Sequence, residues 1–191
     1  MNICVFMSSS DAVARDYVDL AISLGREIGR RGHTLVFGGN RTGLMGRVAD
    51  SVRGEGGHII GVVPQKLYDM GRAYEHCDQL TVSRDLRDRK ALMDDKAEAF
   101  VALPGGLGTL EEIIEVLNLK YLRYHRKPVV FINHEGFYDP LFATFEGFYS
   151  QQFTKRAVEQ LYASLPGVAE LFPYLESYVP VQVEEKWYER S

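Results

Sequence analysis

The sequence predicts an α/β fold, a mostly parallel sheet with helices on both faces. Two observations carry that prediction. Short apolar runs rich in Val, Ile and Phe recur along the chain, and most are followed by longer segments whose apolar residues are three and four apart. The 191 residues, 46% of them apolar, suffice for one domain with a substantial core. No repeat, low-complexity tract or linker divides them, so one unit over residues 1–191 is expected.

Residues 2–7 read as a buried strand. Val13, Tyr17, Leu20, Ala21, Leu24 and Ile28 then mark one face of an amphipathic helix. Asp11 is placed to cap its start, and Gly32 to end it after Arg30-Arg31. Residues 34–37 form a second strand, followed by a helix carrying Leu44, Met45, Val48, Ala49 and Val52. Residues 58–63 are a third strand and 79–82 a weaker fourth. A helix over 84–97 leads into a strongly apolar strand at 99–103. The most regular helix covers 109–124, with Leu110, Ile113, Ile114, Leu117 and Tyr121 on one stripe. Residues 128–132 are a further strand. The remainder is aromatic-rich and helical, with one weak strand near 160–164; Phe137, Tyr138, Phe142, Phe145, Phe148 and Tyr149 fit either core or a subunit interface. This order is Rossmann-like, and such sheets bind ligands beyond the carboxyl ends of strands, where the strand order reverses.

A net charge of -4 and a pI near 5.8 argue against broad binding to nucleic acid or an anionic membrane. No run approaches the roughly 18 apolar residues that cross a bilayer, and the first residues lack the basic region and cleavage site of a signal peptide. Cys4 and Cys77 have no metal-ligand spacing and read as thiols of a reducing compartment. A cytoplasmic protein is expected.

Three loops lie where a ligand would bind. They are Ser8-Ser9-Ser10, Gly38-Gly39-Asn40-Arg41-Thr42-Gly43 and Pro104-Gly105-Gly106-Leu107-Gly108-Thr109. Glycine lets the backbone turn with positive φ and approach a ligand closely. Successive amides in such a turn form an anion nest, and a helix behind it adds its positive end. Each loop alone is equally explained as an ordinary turn; together they point to a phosphate-bearing ligand. None is a Walker loop, and the last does not match the dinucleotide G-x-G-x-x-G.

Two sets of charges bear on chemistry. Thr109-Leu110-Glu111-Glu112 fits a capping box, which accounts for Glu112 without catalysis. Glu111, Glu112 and Glu115 also lie opposite the apolar stripe, facing either a ligand or solvent. In the helix over 84–97, Arg89 and Lys90 fall inside the stripe of Leu86, Met93 and Ala97, while Arg87, Asp88, Asp94 and Asp95 take the outer face. Burying a cation is costly unless it is paired. Either both stems snorkel along the core edge, or Arg89 meets a ligand phosphate or Glu112, which its forked guanidinium suits.

Taken together these motifs resemble the LOG family, the cytokinin riboside 5′-monophosphate phosphoribohydrolases often mislabelled lysine decarboxylases. The signature P-G-G-x-G-T-x-x-E stands at 104–112, its Arg-Lys as Arg89-Lys90, and G-G-x-x-x-G-L-M-G at 38–46. Gly61-Val62-Val63-Pro64 and Lys127-Pro128-Val129-Val130 are similar too, and the likeness runs over about residues 3–141. Departures are Met7-Ser8-Ser9-Ser10 for the usual C-G-S-S, and Leu86-Arg87-Asp88 before Arg89 where M-H-x is common.

The resemblance implies hydrolysis of the N-glycosidic bond of a nucleoside 5′-monophosphate, cytokinin riboside 5′-monophosphate or AMP, to free base and ribose 5-phosphate. It implies Arg89 and Glu112 as catalytic residues, a homodimer, and no metal or organic cofactor. Ser9, Gly39, Lys90, Gly105, Gly106, Gly108, Thr109, Glu111 and Glu115 would bind substrate. A carboxylate suits a reaction through an oxocarbenium-like state, which it stabilises while activating water. A carrier of the same fold, binding a nucleotide or the molybdenum cofactor without catalysis, is the competing reading; Arg89 together with Glu112 favours the enzyme. Lysine decarboxylation needs a lysine set to hold pyridoxal phosphate, and no lysine here has that setting.

Overall fold

A computed structural model describes residues 1–181 and 183. Its strands are β1 (Asn2–Phe6), β2 (Thr34–Phe37), β3 (His58–Pro64), β4 (Gln79–Ser83), β5 (Ala99–Ala102), β6 (Val129–Ile132) and β7 (Ala163–Leu165). Its helices are α1 (Arg15–Arg30), α2 (Gly43–Gly54), α3 (Gln65–Asp69), α4 (Leu86–Lys96), α5 (Leu107–Tyr121), α6 (Asp139–Ser150) and α7 (Val168–Ser177). The strands form one sheet in the order β4-β3-β2-β1-β5-β6-β7. Every neighbouring pair is parallel, where the sequence predicted a mostly parallel sheet. β1 lies between β2 and β5, so the order reverses there, and the carboxyl ends of β1 and β5 border the crevice where such a sheet takes its ligand.

The central strands read as unbroken apolar runs because both of their faces are covered. Ile3 and Val5 of β1 and Val101 of β5 point into a core shared with α1, α2 and α7. Their neighbours Cys4, Phe6, Phe100 and Ala102 point the other way, into a core with α4, α5 and α6. α1 lies so close to α2 that a Cβ on Gly29 would stand 2.8 Å from the Val52 carbonyl oxygen. Gly32, at φ +68°, ends α1 as expected.

Some local expectations fail for identifiable reasons. Asp11 does not cap α1, which starts at Arg15 with Ala14 before it and no side-chain cap. Its carboxylate instead accepts the Gly43 N–H at the start of α2, at 2.9 Å. Leu86 is 59% exposed, so the buried stripe of α4 is Arg89 and Met93, continued by Ala97 beyond its end. The last strand falls at Ala163–Leu165, because Arg156–Leu161 coils into a 3-10 turn. α3 has no buried residue, hence no apolar pattern to announce it. Among the described residues no helix is long and apolar enough to cross a membrane.

The α1–α2 contact makes a sign-sensitive prediction. Gly→Ala in an open helix stabilises by about 1 kcal/mol. At Gly29 the new methyl meets backbone, so Gly29→Ala should instead lower the unfolding free energy by about 1–3 kcal/mol. Urea denaturation should show an earlier midpoint at unchanged slope.

Candidate active site

α4 is set by its cap. The Asp85 carboxylate accepts the N–H groups of Arg87 and Asp88 at 2.8 and 2.9 Å, satisfying free amides of the first turn. From that start Arg89 and Met93 turn onto the sheet. Arg89 Nη2 donates to Glu112 Oε1 of α5, and Nη1 reaches the Gly38 carbonyl at the end of β2, at 3.5 Å. Arg89 is 8% exposed and Glu112 4%. Gly38 makes the approach possible, since a side chain there would run into the guanidinium. Arg89 Nε is buried and has no hydrogen-bond partner among the described residues.

Lys90 repeats the arrangement one residue on and nearer solvent. Its Nζ pairs with Glu111 Oε1 and Glu115 Oε2. Neither cation snorkels; both are taken by carboxylates of α5. Partial burial works against the Lys90 ammonium, but its bonds to Glu111 and Glu115 prevail and hold its pKa above the ordinary lysine value. Burial pushes the Glu112 carboxyl above the usual glutamate range, against the pull of Arg89.

The capping box does not form. α5 begins at Leu107, with Gly106 before it in an extended conformation and no side-chain cap. Thr109 is therefore already inside the helix, buried against Gly105, whose missing side chain leaves it room. Glu112 lies a turn further in and faces Arg89, so it is not on the solvated face with Glu111 and Glu115.

The loops differ in what they leave open. The first two are tied together: the Ser8 carbonyl accepts the Leu44 N–H at 3.0 Å, and the Ser9 carbonyl accepts the Thr42 hydroxyl at 3.2 Å. Gly39 turns at φ +66°. With Asp11 already on Gly43, the start of α2 has its anion. The start of α5 has none from a side chain among the described residues, and Gly106, Leu107 and Gly108 are exposed there. Tyr138 fixes the entry to this turn, its hydroxyl donating to the Leu103 carbonyl at 2.6 Å. An uncapped helix start behind a glycine turn is the place for a phosphate. Ser9, Gly39, Arg89 and residues 105–112 thus sit around the carboxyl ends of the adjacent strands β2, β1 and β5.

A cavity of about 150 Å³ opens beside Glu112 between α4 and α5. Phe6 and Phe100, stacked 6.0 Å apart, line it along with Arg87, Asp94 and Glu115. Sequence reading missed Phe6, Phe100 and Tyr138 as site neighbours, because each lies in an apolar run with nothing to mark it. Asp11 was visible but assigned to the wrong helix.

A family model described as "Possible lysine decarboxylase" matches residues 45–175. The chain is 42% identical over 180 residues to the probable cytokinin riboside 5′-monophosphate phosphoribohydrolase LOGL9 of Oryza sativa subsp. japonica, covering 94% of this chain and 79% of that protein. It is 40% identical over 179 residues to the cytokinin riboside 5′-monophosphate phosphoribohydrolase LOG of the same plant, covering 94% and 74%. Among solved structures, the molybdenum cofactor binding protein of Rippkaea orientalis matches with a TM-score of 0.71 at 21% identity, covering 92% of this chain and 95% of that one. That likeness is one of fold.

The buried pair predicts a titration. In Arg89→Met the opposing cation is gone, so Glu112 should hold its proton to higher pH than in the wild type. Carbon-13 NMR of labelled glutamate should show the wild-type midpoint above the ordinary glutamate range and the variant's higher still. An unmoved midpoint would contradict the pairing.

Proposed function

The chain belongs to the LOG family, and from that premise we propose that it hydrolyses the N-glycosidic bond of a nucleoside 5′-monophosphate, cytokinin riboside 5′-monophosphate or AMP, on one Rossmann-like domain. The products are the free base and ribose 5-phosphate. One observation carries the reading: a buried carboxylate, Glu112, is held by a guanidinium one turn inside the helix whose uncapped start follows Pro104-Gly105-Gly106.

The chemistry follows from that placement. Amides at Gly105, Gly106, Gly108 and Thr109 take the 5′-phosphate, with Ser9 and Gly39 contributed by the loops after β1 and β2. Binding energy from the phosphate then fixes the sugar, remote from the bond to be cut. As the base leaves, positive charge grows on the anomeric carbon and ring oxygen. Glu112 offsets that charge and takes a proton from the attacking water. The hydroxyl ends on the anomeric carbon, and a proton ends on the departing base nitrogen. A carboxyl with a raised pKa is a better base than an ordinary one. Arg89 orients it.

Other readings have less support. Lys90 is locked between two carboxylates that keep it protonated, the opposite of what a Schiff-base lysine needs. The carrier reading draws on fold alone, at 21–23% identity. A cytoplasmic location, argued from the free thiols of Cys4 and Cys77, belongs to the same proposal.

Purified protein should release free base from AMP or N6-substituted adenosine 5′-monophosphates without added metal, as followed by chromatography. Glu112→Gln should lower turnover about 10²–10⁴-fold while nucleotide binding survives. Binding without base release across the panel would instead make the protein a carrier.

We propose a homodimer as well, on the family resemblance. An apolar groove of about 250 Å³ between α5 and α6, bordered by Phe148 and Phe153, supplies a face for it. Sedimentation velocity should give twice the chain mass for the wild type and the single-chain mass for Phe148→Glu/Phe153→Glu. A monomeric wild type would refute the dimer.

A further inference from the structure

α5 carries carboxylates at Glu111, Glu112 and Glu115 within two turns. Such crowding is unfavourable: like charges four apart repel, and both outer carboxylates act to keep a proton on Glu112. The groups facing Glu112 are few. α4 supplies Arg89 and Lys90, with Arg87 and Asp94 further along the same cavity. Asp94 is already held by Lys127 at 3.0 Å. β1 supplies the Cys4 thiol, which burial keeps protonated. Among the described residues only Lys90 meets both outer carboxylates, and its side chain is 18% exposed where theirs are 59% and 44%. With two of its donors directed at Glu111 and Glu115, little is left for a substrate phosphate.

We infer that Lys90 is a positioning residue rather than a substrate ligand: it ties Glu111 and Glu115 to α4, so holding the segment of α5 that carries Glu112 and neutralising that residue's like-charged neighbours. The inference rests on the reading of Glu112 as the catalytic carboxylate. Arg89 then grips Glu112 directly, and Lys90 keeps the neighbouring charges from undoing that grip. Without Lys90 two uncompensated carboxylates would flank a third that must be ionised to work.

The test is the pH dependence of kcat/KM on a monophosphate the wild type hydrolyses. Glu112 works ionised, so activity rises with pH through its titration. Lys90→Met should move that acid limb up by about one pH unit, with kcat regained at high pH and KM nearly unchanged. Lys90→Met/Glu111→Gln/Glu115→Gln should return the limb towards the wild-type position. Glu111→Gln/Glu115→Gln, which keeps Lys90, should move it below that position and serves if Lys90→Met does not fold. A raised KM with the limb unmoved would make Lys90 a substrate ligand. An equal loss at every pH, not rescued by the triple variant, would make it a brace of stability only. Both outcomes overturn the inference. Glu112→Gln separates the two levels: full activity there sinks the reading of Glu112, whereas an inactive Glu112→Gln beside an unmoved limb in Lys90→Met sinks the role of Lys90 alone.

Discussion

The site depends on one interaction, the buried pair of Arg89 and Glu112. A lone charge at either position would carry a desolvation cost of several kcal/mol. The pair removes most of it, and joins two helices that arrive from different strands. α4 enters from β4 at the sheet's edge; α5 enters from β5 next to the centre. Their meeting point stands under the end of β2, where the missing side chain of Gly38 leaves room for the guanidinium. Gly38 is therefore as much a part of the pair as the two charged residues. Glu112 remains burdened by burial even so, and that residual cost makes it a stronger base than a surface glutamate.

The two faces of the sheet carry different duties. Under α1, α2 and α7 the core is apolar, and the loops above it are satisfied internally, with Asp11 on the start of α2 and the Ser8 and Ser9 carbonyls bonded to Leu44 and Thr42 on either side of Gly43. Under α4, α5 and α6 the core takes in charge. The start of α5 is left without a side-chain cap, while Tyr138 steadies the strand end before it. One helix start is closed by a carboxylate and the other carries no side-chain cap. Both follow strands that flank β1 at the reversal of strand order, so their difference lies in side chains and not in topology.

Much of this was legible in the sequence, and the limits are physical. Strands buried on both faces announce themselves as apolar runs, and so β1, β2, β5 and β6 were placed to within a residue or so. Arg89 was legible as an anomaly, a cation on an apolar stripe, though Leu86 wrongly seemed part of that stripe. Partners across space were not legible. The spacing of Thr109 and Glu112 matches a capping box whether or not the helix starts there, and only the extended backbone at Gly106 moves the start to Leu107. Asp11 sits where a cap for α1 should be, yet its acceptor reaches α2 because the first two loops fold against each other. Local pattern fixes which residues are near a turn, not which amide they meet.

The molybdenum cofactor binding protein of Rippkaea orientalis shares this architecture at 21% identity, so the parallel sheet and its crevice alone do not select a chemistry. A carrier needs a crevice and groups that hold an anion. It has no use for a carboxylate kept out of water, since that group only repels a negatively charged cargo and costs stability. Three carboxylates beside the proposed phosphate site would be a liability for binding, and the chain offsets them with two cations from consecutive positions of α4. An arrangement that expensive is reasonable when negative charge is wanted at one point while phosphate is held at another. Cleavage of a glycosidic bond has that requirement, with a cationic centre forming a few bonds away from the anchoring phosphate.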